Sequence, residues 1–451
     1  MRTLVGYLCL VVTILCLPPR AAAKEKDDDL VLGWYASGSG GMIDRRWAFG
    51  ADAFLDLSVK GFRMTVGAPL RFHGDGFRDE HWDEVTDFGR LAREISYERP
   101  DLGLSLKIAP VSGLNLGVGN LVSFYNSTVD ADHWRTGFTG SFHSKYGGID
   151  VFLDSFLPPE MAGGRLYVRP FEAIHPGGFA GRLEIAGTLL ADFRAPREFQ
   201  RIGRRITLAG ANLPSVDREA IIGAGIDVRW PVYRGPLAEL VPYVAMSMVE
   251  DGSGLHVGLA LDIYPSQSFR FGLAGEWRYL GAHYLASYFD SMYMVERFDF
   301  ESGDPFNAKT KARVLDDVVE TRMGAMAMAL FEMVDTVTTW IQLDWDNQSR
   351  FSQLRLGLDL NVLDLVGLRV SLVERGFPTF TKLFDPDRFM VAAAVDVNIT
   401  RNVTVFGSYS RDLSIARSGD AVGLYRPTDG FLVGLRVGFQ YERGKRDDQK
   451  K

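Results

Sequence analysis

From Phe431 to Tyr441 every second residue is apolar, running Phe431, Val433, Leu435, Val437, Phe439 and Tyr441. Between them lie Leu432, Gly434, Arg436, Gly438 and Gln440, mostly small or polar. A period of two describes an extended strand with one greasy face and one wet face. A wet face that carries charge, ending on aromatics, fits the closing strand of a transmembrane β-barrel, apolar to lipid and polar to the lumen. The pattern recurs. Leu255, Val257, Leu259, Leu261 and Ile263 alternate with His256, Gly258, Ala260 and Asp262, and Phe269–Tyr279, Leu354–Leu360, Leu368–Leu372, Ala53–Val59 and Phe62–Leu70 behave alike. The weakest alternation lies near 138–146 and 240–249.

The connections alternate in length, as a barrel with short periplasmic turns and long extracellular loops requires. Short links are expected at Lys60-Gly61, Pro110–Gly113, Tyr146–Gly148, Pro265–Ser268, Asp364–Gly367 and Thr400–Asn402. Long ones are expected over Gly74–Asp101, Asn126–Arg135, Phe193–Glu219, Leu280–Asp317, Phe377–Arg388 and Asp412–Gly430. Both termini then lie on one side and the strand number is even. The expected fold is an all-β, transmembrane antiparallel β-barrel of about 18–20 strands.

The N-terminus reads as an export signal. Met1-Arg2, apolar Leu4–Leu17 and the Ala21-Ala22-Ala23 ending describe a secretory peptide cut after Ala23, residues 1–23. An acidic segment, 24–29, leads into the barrel, 30–441, and a short periplasmic tail, 442–451, follows. Both cysteines, Cys9 and Cys16, fall within the signal, each preceded by leucine, so neither disulfide nor lipidation is expected. The signal removes Arg2 and Arg20 from the 50 Lys and Arg, leaving the 57 Asp and Glu in excess. That balance gives no reason to invoke nucleic acid. Only a few residues precede the first strand, so no N-terminal plug domain fits after the signal.

Residues opposite the apolar rows are expected to line the lumen. The basic ones are Arg63, Arg71, Lys107, Arg165, Arg169, Arg182, Arg229, Arg270, Arg278, Arg322, Arg355, Arg369 and Arg436. The acidic ones are Asp52, Asp56, Asp150, Asp154, Glu184, Asp227, Asp262, Glu276, Asp344, Asp346, Asp359 and Asp396. An Arg or Lys facing lipid at mid-membrane costs about 2–4 kcal/mol, which sends these charges inward. There they either sort solutes or hold strand register as cross-strand ion pairs. Glycines 67, 117, 119, 258, 272, 357, 434 and 438 share that face, leaving room or easing curvature. Gly434, Val437, Phe439 and Tyr441 match the C-terminal signal read by the barrel-assembly machinery.

Other chemistry is thin. A membrane-embedded lipase needs Asp132 and His133 with Ser123, Ser127 or Ser141, and adjacency in sequence supplies no geometry. Asp130 with Asp132, or Asp385 with Asp387, falls short of a Ca²⁺ ligand set, so neither metal nor cofactor is expected.

The stretches Trp82-Asp83-Glu84, Asp87–Leu91, Gly119–Val122, Tyr125-Asn126, Asp132–Gly137, Tyr146–Gly148 and Arg165–Phe171 resemble uncharacterised outer-membrane β-barrel proteins of myxobacteria and related bacteria. The resemblance spans residues 80–171 and implies an envelope location without catalytic residues. The expected function is an outer-membrane channel, porin-like or a glycan exit, with a mixed-charge hydrated lumen. Its partners would be outer-membrane lipid, the assembly machinery and a hydrophilic solute or glycan. The alternative is a closed barrel that serves as a scaffold for surface interactions, and an enzyme comes third.

Overall fold

The computed structural model describes residues 30–443 apart from 44–45, 75, 78–81, 83, 129–133, 204, 210–212, 299–306, 364, 377–388 and 416–424. The signal, the acidic segment, most of the C-terminal tail, and the candidates Asp130, Asp132, His133, Asp385 and Asp387 lie outside the described residues.

Twenty strands form one closed antiparallel barrel. They begin with β1 Leu30–Ile43, β2 Arg46–Val59, β3 Phe62–His73, β4 Ala92–Arg99 and β5 Leu104–Ala109. Next come β6 Gly137–His143, β7 Gly147–Leu153, β8 Met161–Val168, β9 Glu184–Phe199 and β10 Val216–Arg229. The second half holds β11 Ala238–Val249, β12 Gly252–Ser266, β13 Phe269–Leu280, β14 Arg322–Met333 and β15 Val337–Asp346. The last five are β16 Gln353–Val362, β17 Val366–Arg375, β18 Phe389–Thr400, β19 Val403–Ile415 and β20 Tyr425–Arg443. Two further two-residue strands, Gly76–Phe77 and Tyr233–Arg234, pair with β3 and β11. β20 pairs with β1, Phe439 opposite Trp34 and Val437 opposite Ala36, so no edge is left open.

Alternation decides which side each residue faces. In β2 the exposed Trp47, Phe49 and Leu55 alternate with the buried Ala48, Asp52 and Phe54. Leu166, Leu189, Ile226, Met246 and Val433 are each more than half exposed on the outside. Such a belt of bare leucine and valine is stable against hydrocarbon, not water. Inward glycines seat neighbouring rings: a Cβ on Gly258 would stand 2.2 Å from the Tyr243 ring, and one on Gly434 2.3 Å from Phe406.

The connections differ from expectation in five places. Gly74–Asp101 is not one long link, because it contains the 3₁₀ helix Val85–Leu91 and then β4. Pro110–Gly113 is not a short turn; it opens a segment, 110–136, that folds into the barrel. Its Leu114-Asn115-Leu116-Gly117 imitates a strand, but Gly117 and Gly119 take φ of +63° and +82° and bend the chain. These glycines therefore sit in the inward segment rather than on a strand face. At Phe193–Glu219 the strands run on to Phe199 and resume at Val216, with a bulge around Pro196, and at Asp412–Gly430 they likewise run on to Ile415 and resume at Tyr425. Finally, the terminal end, where Leu30 and Arg443 lie, carries one long connection, 169–183. Pro176 with Gly177 and Gly178 delays β9 to Glu184, so Arg182 lies in this connection and Arg169 just past β8.

Candidate functional site: the lumen and its two inward segments

Two connections from the loop end fill much of the lumen. Segment 110–136 and segment 281–321 meet in a two-residue parallel ladder, Val122 beside Phe289 and Ser123 beside Asp290. Tyr125, Tyr284, Tyr288, Tyr293 and Phe289 are buried in one apolar cluster that reaches the wall at Phe152, Leu190 and Ile221. Burial pushes the Tyr125, Tyr288 and Tyr293 phenols well above their ordinary pKa, so they stay neutral donors.

Polar contacts pin both segments. In the second, α1 (Tyr293–Glu296) and α2 (Lys311–Asp317) bring Glu296 and Lys311 together at 2.7 Å, with Asp290 3.1 Å from the same ammonium. Arg375 of β17 bonds Glu296 and stands 3.5 Å from Asp290. Burial alone would raise Asp290, but Lys311 and Arg375 bring it below the ordinary carboxylate value. Arg297 reaches Glu160 at 3.1 Å and Asp192 of β9 at 3.5 Å, and Tyr293 donates to Asp192 at 2.7 Å. Arg322 of β14 pairs with Asp346 at 2.6 Å and donates to the Tyr284 carbonyl. In the first segment Ser123 accepts from Arg355 at 3.2 Å, and Phe124 stacks on Trp340 with centroids 4.6 Å apart. Such buried charges persist only because each is paired.

Segment 110–136 also ties to the 3₁₀ helix. Trp134 N–H donates to Asp87 at 3.2 Å, Thr136 Oγ1 to the Gly89 carbonyl at 2.8 Å, and Arg90 lies over the indole. Two stretches of the resemblance thereby pack into one unit.

The remaining interior charges split by height. Near the loop end Arg71 pairs with Asp52, Glu276 with Arg278 at 2.5 Å, and Arg278 and Arg355 with Asp344 at 2.8 and 3.3 Å, all nearly buried. Near the terminal end the pairs are wet: Arg63–Asp56 at 3.6 Å, Arg270–Asp262 at 2.9 Å, Arg369–Asp396 at 3.4 Å and Arg436–Asp396 at 4.0 Å. Side-chain exposure falls from 39% at Arg270 to 7% at Arg278 along one strand, and from 31% at Arg63 to 1% at Arg71 along another. Asp359 stands opposite Arg369 in the β16–β17 register. Along these strands the interior is thus open toward the terminal end and filled toward the loop end, while Arg165 with Glu184 and Asp227 is a sealed group at the terminal end.

A cavity of about 620 Å³ lies under segment 110–136 at the terminal end, lined by Lys107, Arg165, Arg169, Glu184 and Arg229 among others. Arg165 is held by Asp227 at 2.7 Å and Glu184 at 2.9 Å, and Arg169 reaches Glu184 at 3.2 Å. Asp150 meets His143 at 3.2 Å, and Lys107 meets Glu94 at 3.4 Å. Asp154 binds Arg135 at 2.6 Å instead. Arg182 donates to the Gly177 carbonyl at 3.2 Å.

The serines of the lipase reading are engaged elsewhere or lie half-buried on the wall. Ser123 serves Arg355, Ser127 bridges Val111 N and the Arg135 carbonyl, and Ser141 lies in β6. A Ser–His–Glu series does exist at Ser247, His256 and Glu276, with spacings of 3.5 and 3.0 Å. Tyr284 Oη caps it, contacting Ser247 and lying 3.0 Å from His256 Nε2, so the series holds the second segment rather than meeting a substrate. Among the described residues no three His, Cys, Asp or Glu side chains group as a metal site.

The tyrosines, Arg297 and Lys311 were not singled out by alternation, because the inward segments have none. Their signal is aromatic density: Tyr284, Tyr288, Phe289 and Tyr293 within ten residues is too apolar for a loop in water.

No protein family matches this sequence, and no curated protein does. Among solved structures, OprD of Pseudomonas aeruginosa is 9% identical, covering 91% of this chain and 95% of its own, at a TM-score of 0.33. OccAB4 of Acinetobacter baumannii is 9% identical over 92% and 98%, at 0.32. The ferric enterobactin receptor PfeA is 9% identical over 90% and 81%, at 0.37. Superpositions this loose assign no function.

Proposed function

We propose that this protein is an outer-membrane channel for small hydrophilic solutes, held narrow by its own extracellular segments. The observation that carries the reading is the gradient of exposure along the inner wall. On β3 and β13 the paired charges at the terminal half remain in contact with water, while the same strands are sealed at the loop half by segments 110–136 and 281–321. Taking the terminal end as periplasmic gives a wet vestibule beneath a packed extracellular gate. The apolar outer belt and the closed sheet support the outer membrane as the location, reached after export and assembled through Gly434, Val437, Phe439 and Tyr441.

The second reading is a closed barrel that presents a surface scaffold. The apolar cluster across the lumen favours it, since that core resembles a folded domain more than a water-filled pore. Planar-bilayer recording of the purified barrel decides between them. Discrete conductance steps, enlarged when residues 285–315 are removed, support the channel. Silence in both proteins, each folded by heat-modifiable gel mobility, leaves the scaffold.

A further inference from the structure

We infer that the terminal-end vestibule is a binding site for a small soluble organic anion, one bearing carboxylate or phosphate groups. The argument starts from charge. The 620 Å³ cavity and an adjoining one of about 310 Å³ share Arg169, Glu184 and Arg229. Together their linings hold seven Lys or Arg against four Asp or Glu, within a chain whose net charge is −7. Asp227 on Arg165 and Glu94 on Lys107 add two carboxylates from just outside the lining, which leaves a small positive excess in a negative protein, and low-dielectric walls concentrate its field.

The positive groups are not all neutralised. Arg165 is consumed by Asp227 and Glu184, and works as a fixed wall. Glu184 must also serve Arg169, whose side chain is 33% exposed. Arg229 stands opposite Glu184 in the β9–β10 register and acts on it through charge, yet among the described residues makes no ion pair within 4 Å. Two guanidiniums therefore face the cavity with donors to spare, and planar forks of this kind match carboxylate and phosphate oxygens.

The cavity also has a roof. Pro110–Gly117 of the first inward segment lies over it, and a Cβ at Gly117 would come 2.9 Å from Arg165 Nε and 3.0 Å from Asp227 Oδ2. Only glycine, at φ +63°, lets the segment close so tightly on the fixed pair. The site lies on the inner face, because Leu166, Val168, Ile185 and Val228 of the same strands are the exposed outer residues. A lipid headgroup is thereby disfavoured against a solute in the lumen. The proposal rests on the channel reading only for the route by which the anion arrives.

The test is calorimetric titration of the full barrel, in a neutral maltoside detergent, with citrate, inorganic phosphate and glucose. Citrate or phosphate should bind and glucose should not. The Arg169→Gln/Arg229→Gln variant should bind about tenfold more weakly or worse, the loss expected from one or two charge-assisted hydrogen bonds. Arg229→Lys should fall between, since it keeps charge and loses the fork. If the double variant does not fold, the single Arg229→Gln carries the comparison. No binding, equal binding of glucose, or full affinity in the folded variant overturns the site. Binding in a barrel that never conducts upholds the site and removes the channel, while conduction without binding does the reverse.

Discussion

Tyr284 Oη stands 3.0 Å from His256 Nε2, so a residue from the long loop-end connection 281–321 ends its side chain on an inner-wall residue of β12. Glu276 fixes the other ring nitrogen at 3.0 Å, and the Asn120 carbonyl accepts from the same phenol at 3.2 Å. One hydroxyl thus joins both inward segments to the wall.

Removing it should loosen the gate without unfolding the barrel. Tyr284→Phe leaves His256 and Ser247 buried with fewer partners, a cost of about 1–3 kcal/mol. The expected outcome is a lower thermal midpoint and more frequent openings in bilayer recordings. Unchanged midpoint and gating together would show that the phenol is not a latch.

The parallel ladder predicts that the two segments move as one body. A Val122→Cys/Phe289→Cys protein, adjacent in register, should oxidise to a cross-link while keeping whatever openings the wild type has. Loss of openings on oxidation, restored by reductant, would mean that opening separates them.

Glu160 gives the gate a pH dependence. Burial pushes its carboxyl up, but Arg297, Arg135 and Arg218 prevail and hold it down at about 2, against an ordinary 4.5. A depressed carboxylate stabilises the folded state fully above its unfolded pKa and loses that contribution as pH falls through the folded one. Glu160 therefore contributes a constant amount from neutrality to about pH 5, on the order of 3 kcal/mol, and loses it progressively toward pH 2. The midpoint difference between wild type and Glu160→Gln should shrink from pH 6 to pH 2. A constant difference would place the effect in packing instead.

Orientation is testable on intact cells. A tag within Asp412–Gly430, or at the exposed Asn307, should be labelled, while one at Lys60-Gly61, the β2–β3 turn, should stay protected. Labelling at Lys60-Gly61 would invert the topology. Replacing Phe439 and Tyr441 with serine should lower the folded amount in the outer membrane, judged by cold against boiled gel mobility.

The wall was legible in the sequence because a pleated strand reports its two faces with period two, and lipid punishes every exception. Leu255–Ile263 and Phe431–Phe439 could hardly be read otherwise. The gate was not legible, because a segment buried inside a barrel has no fixed period. Leu114-Asn115-Leu116-Gly117 imitates a strand until glycine turns it, and the β9–β10 hairpin outruns its expected ends because its strands rise past the belt. Charge was legible as a face but not as a state: alternation sends Arg270 and Arg278 inward alike, and only height in the barrel separates the wet one from the sealed one.

That difference changes what an arginine exchange should do. Read as one ladder, Arg270, Arg278 and Arg322 would set ion selectivity together. Arg270 is 39% exposed beside Asp262 and Glu332 at the wet end, so Arg270→Glu should move the reversal potential toward cations and leave the fold intact. Arg278 and Arg322 are sealed in ion pairs with Glu276, Asp344 and Asp346, and glutamate at 278 would bury three like charges together, at 322 two. Those variants should lose thermal stability and gate closure rather than selectivity. An Arg322→Glu barrel that keeps its midpoint and merely shifts reversal potential would return Arg322 to the conduction path.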